Sequence, residues 1–158
     1  MLESEFWLQL EYTALAGEIG ATWLFPLINS LHVLFFAVML AALFWLDLGL
    51  ILNHWRVVPL KDSMKSWLPW IWFTFVASVL TGAGLFITRA SAHVLNPAFQ
   101  WKIILMLLAG LNMLILHRSL RKLDSMSTPS AGIAWQAGLS LVLWLGVVLS
   151  GRWIGHIV

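Results

Sequence analysis

Residues 21–52 read ATWLFPLINSLHVLFFAVMLAALFWLDLGLIL, and this stretch decides the fold. A helix needs roughly 20 apolar residues to cross a bilayer, and this run exceeds that, at about 48 Å if wholly helical. It also carries two groups that a hydrocarbon interior does not welcome, His32 and Asp47. Pro26 belongs in the first turn or at a kink, because a proline deeper in a helix loses a hydrogen bond.

The rest of the chain extends the same reading. Of 158 residues, 61% are hydrophobic and 10% charged, against about 25% charged in an ordinary soluble domain. Lipid is therefore the solvent for most of the chain. Three further apolar runs follow, at about 67–88, 99–117 and 132–152, separated by short polar segments. Short connections make sequential spans antiparallel neighbours. The fold expected is all-α, an integral membrane up-down four-helix bundle formed by residues 1–158 as one transmembrane domain. Residues 1–20 hold four glutamates and no basic residue. Their apolar positions recur at roughly helical spacing, as in a short N-terminal interfacial helix. This acidic, amphipathic opening lacks the basic start of a cleavable signal peptide, so the first span is expected to stay as an anchor.

Charge sets the expected orientation. Arg56, Lys61, Lys65, Arg118, Arg121 and Lys122 fall in the segments after the first and third spans. The other side has only Arg89, Lys102 and Arg152. Positive residues concentrate on the cytoplasmic face, which puts both termini in the periplasm and the chain in a bacterial inner membrane. Trp23, Trp101 and Trp153 at one boundary, with Trp55, Trp67 and Trp135 at the other, suit interfacial belts. Ser78-x-x-x-Gly82 and Ala134-x-x-x-Gly138 are small-residue pairs that let helices approach closely, and the Gly82-Ala83-Gly84 run suits close helix contact too. No basic cluster is large enough for nucleic acid. With no cysteine there is no thiolate metal site and no c-type haem attachment.

Ionisable residues in a span usually face the bundle interior and mark function. His32 and Asp47, fifteen positions apart, share a helix face but lie about 22 Å apart along it. Lys102 and His117 repeat that spacing on the third span. If these faces meet, Asp47 finds His117 or Arg118, and His32 looks towards the outer half of the third span. Imidazole suits haem iron and copper. His32 is the first candidate ligand for haem b or a metal ion. His93, Met106 or His156 could be the second, and His117, with His54 close by, marks an inner alternative. Asp47, His117 and Arg118 together make a candidate proton or quinone site on the inner side. The same residues have plainer readings: hydrogen-bonded structural histidines, a register-fixing ion pair at Asp47, and a snorkelling Lys102. Asn112 and Gln136 read as inter-helix hydrogen-bonding groups. No nucleophile–base arrangement is visible that would mark an enzyme.

Several segments together carry a resemblance: Leu46-Asp47-Leu48, Leu68-Pro69-Trp70, Thr81-Gly82-Ala83-Gly84-Leu85-Phe86, Asn96-Pro97-Ala98-Phe99-Gln100-Trp101-Lys102, Leu111-Asn112 with His117, and Gly151-Arg152-Trp153-Ile154. Over roughly residues 22–155 the chain resembles a family of small bacterial four-helix inner-membrane proteins of unknown function. That resemblance implies the four-helix membrane fold and no particular chemistry. The family pattern commonly has a basic residue just after the Asp-Leu pair, where this chain has Gly49 and Leu50. A looser similarity, to b-type cytochromes and copper-resistance membrane proteins, rests on the histidine in the outer part of a span.

The function expected first is that of a haem b-binding electron-transfer subunit between a quinone pool and a periplasmic partner. A non-catalytic subunit that stabilises a larger membrane complex is the alternative, and metal-ion transport a third. The partners expected are the lipid bilayer, a quinone, and a periplasmic redox protein or larger complex; a homo-oligomer is left open.

Overall fold

The computed structural model describes residues 2–52, 60–122 and 130–156. The described residues are helical and contain no strand. In order they form α1 (Leu2–Glu11), α2 (Ala14–Ala21), α3 (Leu24–Ile51), α4 (Leu60–Ile87), α5 (Ala90–Leu95), α6 (Pro97–Arg121) and α7 (Ala131–Trp153). Four of them, α3, α4, α6 and α7, are long and apolar enough to cross a membrane.

The ends of these helices follow local chemistry. Pro26 sits in the first turn of α3, where its missing N–H costs nothing. The Asn96-Pro97 pair is a helix cap. The Asn96 side-chain oxygen accepts hydrogen bonds from the backbone N–H groups of Ala98 (2.9 Å) and Phe99 (3.3 Å), and Pro97 opens α6. Thr13 caps α2 in the same way, accepting from Ala16 N at 3.3 Å. The single interfacial helix expected at the N-terminus is therefore two helices broken at Tyr12–Thr13. Residues 89–98, expected as a polar loop, contain α5.

Two boundaries differ from the hydropathy reading for one reason. A helix continues into polar sequence after the apolar run has ended. α4 begins at Leu60, ahead of the apolar run expected from about 67, so Pro69 lies inside it. The Pro69 ring is exposed, which keeps its disturbance of the preceding turn on the outer face of the helix. α6 continues through Arg118 to Arg121, with basic side chains in its last turn that suit the negative end of the helix dipole.

α3 packs against α4 and α7, and α6 packs against α7. The core between them is mainly apolar: Met39, Leu43, Leu46, Leu50, Ile71, Met113, Leu116, Ala137 and Trp144 are fully buried. Large apolar residues such as Leu34, Phe73, Leu80, Leu107 and Val142 point outward. A soluble protein would hide them, whereas lipid receives them without penalty. At one end of the bundle α2 lies against α3 and α4, and α5 against α6; this is the capped end. The other, the loop end, is where α3 and α6 finish and α4 and α7 begin.

The small-residue motifs divide. A Cβ built on Gly82 would stand 3.0 Å from Cε1 of His32, and one on Gly84 would be 3.8 Å from Ile28, so α4 uses both glycines for close approach. Gly138 has nothing within 4 Å. The expected close contact at Ala134-x-x-x-Gly138 is therefore absent, and the buried small residue of that turn is Ala137. Asn112 does bridge helices, donating to the backbone carbonyl of Gln136 at 3.1 Å.

Candidate functional site

The polar side chains inside the bundle form two groups at different depths. Near the capped end, His32 lies eight residues into α3. It turns to α4, not to α6 as expected. Its Nδ1 lies 2.9 Å from the backbone carbonyl of Ser78 and 3.3 Å from Oγ1 of Thr81. A carbonyl only accepts, so Nδ1 carries the hydrogen and donates it. That fixes the tautomer and leaves Nε2 as the ring nitrogen with no hydrogen bond among the described residues. Gly82 sits against the ring, and Phe36 stacks on it with centroids 6.4 Å apart. The expectation for His32 assumed that the marked faces of α3 and α6 meet. Instead α3 takes α4 and α7 as its packing partners.

The other capped-end groups surround this histidine more loosely. Lys102 lies on α6 within electrostatic reach of both His32 and His93, with its stem along Gly151 of α7. Met106 lies nine residues into α6, close to His32 in depth, and packs partly buried against the core. His93, on α5, belongs to an aromatic stack with Phe86 and Phe99, at 6.2 and 5.4 Å between centroids. His156 is exposed in the turn after α7. A cleft of about 280 Å³ opens between α6 and α7, lined by Trp101, Leu149 and Trp153 among others. None of the candidate ligands lines it.

Burial first, then the charges of Lys102 and Arg89, hold the His93 ring below the ordinary histidine value of 6.5, and Glu11 opposes them. Folding thus favours neutral His93. Its contribution to stability is complete above the ordinary value and is lost as pH falls below it, because the unfolded chain then binds the proton more readily. Unfolding of the wild type in mixed micelles should become easier on mild acidification through that range. The His93→Gln variant should lose part of this dependence; an unchanged pH profile would remove His93 from the account.

The second group lies towards the loop end. Asp47 on α3 and His117 on α6 are each four residues from the end of their helix. Asp47 is 0% exposed and His117 2%. The expected pairing of Asp47 with His117 or Arg118 does not form. Both Asp47 oxygens and both His117 ring nitrogens lack a hydrogen-bond partner among the described residues. Arg118 is exposed, so its guanidinium stays at the surface. His117 packs instead edge-on to Trp72 of α4, with centroids 6.1 Å apart. On α7, Ser140 and Trp144 are both fully buried, with no partner for their polar atoms among the described residues. Ser140 presents its hydroxyl to Asp47 across the α3–α7 interface without closing a hydrogen bond. His54, named with His117 as an inner ligand candidate, lies outside the described residues.

Among the described residues, no group of three or more His, Asp or Glu side chains comes together. A metal at His32 would thus draw its remaining donors from elsewhere. No family model, curated protein or solved structure matches this chain.

Proposed function

We propose that this chain is a small multi-pass inner-membrane protein that binds haem b and carries electrons between a quinone pool and a periplasmic partner. In this reading the bundle is up-down, the capped end and both termini face the periplasm, and the basic loop end faces the cytoplasm. The observation that carries the proposal is the state of His32. An imidazole in a spanning helix has its Nδ1 tied to a backbone carbonyl and its Nε2 open, which is how a ligating histidine is usually oriented. The donor count favours a macrocycle over a bare ion. A bare copper or zinc ion needs three or four protein donors, whereas a porphyrin brings four nitrogens and asks the protein for one or two axial ligands.

His32 would supply the first ligand. Met106, at matching depth on α6, fits the second position better than His156, which is exposed, or His93, which is stacked between rings. Bound haem supplies a one-electron carrier. The protein's own part is to orient His32 through Ser78 and to keep the ring against Gly82. Lys102, within electrostatic reach of His32, supplies positive charge at that depth.

The test is the visible spectrum of the protein purified in mild detergent. A b-type alpha band should appear on dithionite reduction. His32→Ala should abolish it, and Gly82→Val, which drives bulk into the His32 ring, should greatly weaken it. A wild type without the band overturns the proposal, and a band that survives in His32→Ala clears that residue of the ligand role.

A further inference from the structure

The loop-end half of the core contains a carboxyl group that nothing described neutralises. Asp47 is fully enclosed, with Leu43, Leu46 and Leu50 buried beside it on α3. An ionised carboxylate without a partner in such surroundings is strongly disfavoured, because its lost hydration is not replaced. Among the described residues, no charged side chain of the neighbouring elements reaches it. On α7 the residue facing it is Ser140, which is not a cation. On α6, His117 has both nitrogens unbonded, and Arg118 and Arg121 are exposed. Lys65 of α4 is exposed as well, and α2 packs at the opposite end of α3.

Whatever cancels the charge must also fit. The carboxyl oxygens of Asp47 and the Ser140 hydroxyl are fully enclosed. A hydrated or six-coordinate cation needs room for its oxygen shell, and a quinone ring needs more. A proton needs none.

We infer that Asp47, with Ser140 facing it, is a proton-binding site of the membrane interior, which takes up a proton from water at the loop end and gives it back. The step is one of simple addition. A proton joins one carboxylate oxygen to give the neutral acid, and on release that O–H bond breaks with its electron pair returning to the carboxylate. No redox partner is involved, and the inference stands whether or not His32 binds haem. The neutral acid also gains what the bare carboxylate lacks. Its O–H is a donor that Ser140 can accept, and its carbonyl remains an acceptor for the Ser140 hydroxyl.

The experiment is infrared spectroscopy of the whole chain in lipid nanodiscs at neutral pH. A carbonyl stretch of a protonated carboxyl, at the high frequency of a dry environment, is expected. It should vanish in Asp47→Asn, move to higher frequency in Ser140→Ala, and shift downward in heavy water within the time of buffer exchange. Absence of the band in the wild type overturns the inference. So does a band that persists in Asp47→Asn, since it would belong to another group, and a band unmoved in Ser140→Ala removes Ser140 from the site. A band that stays unshifted in heavy water also overturns it, because the proton would be sealed in and not exchanged. The wild-type and heavy-water measurements need no variant, so they stand even if Asp47→Asn fails to fold.

Discussion

Replacing Trp144 with alanine is expected to cost about 3 kcal/mol of bundle stability, whereas phenylalanine at the same position should cost almost nothing. Trp144 is fully buried, and Phe36 and Phe75 pack against its ring with centroids 6.2 and 6.0 Å away. It ties α7 to α3 and α4 at mid-depth. Truncating a buried Trp or Phe to Ala costs about 3–5 kcal/mol in soluble cores. The lower end applies here, because unfolding within lipid moves the side chain into hydrocarbon and not into water, leaving mainly the packing loss. Phenylalanine keeps most of that packing and deletes the indole N–H, which has no acceptor. Removing a buried donor that has no partner is close to neutral or slightly favourable. Titration with dodecyl sulfate in mixed micelles, followed by circular dichroism, measures both variants. Equal losses in the two would mean that the N–H has a partner and that the region around it is not dry.

The same residue shows why part of the site was hard to read from the sequence. Tryptophans at span ends announce an interface, and Trp23, Trp101, Trp135 and Trp153 are indeed exposed. Trp144 lies near the middle of α7, too deep for a belt residue, and that depth was the available signal. Ser140 offered none, since a hydroxyl in a transmembrane helix usually bonds to its own backbone. His32 and Asp47 stood out at once because ionisable groups are rare in spans, and both do lie within the bundle. Their partners did not follow. Periodicity tells which face of a helix is marked but not which helix that face meets, and the fifteen-residue spacing shared by α3 and α6 invited a pairing that the packing order does not make. The spans themselves were legible from apolar length. Their true ends were not, since helices run on through polar residues wherever capping and dipole terms allow. α5 was too short for any period to show.

Replacing Asp47 with valine should move stability the other way, raising it by about 1–3 kcal/mol, the penalty attached to leaving a buried polar group without partners. Valine is somewhat bulkier than aspartate and branches at a similar point, so it fills the site beside Leu43, Leu50 and Ser140 without leaving a cavity. Asp47→Ala should keep the sign with a smaller gain, because a cavity then offsets part of the relief. The detergent titration used for Trp144 reads both variants, and the infrared carboxyl band reads the loss of the proton site in the same samples. A stabilised but proton-silent Asp47→Val would identify a residue kept at a cost in stability, as expected where the group has work to do that packing does not require. A destabilised Asp47→Val, with circular dichroism still helical, would show that the carboxyl already has a strong partner and that the bare, enclosed acid is the wrong description of the site.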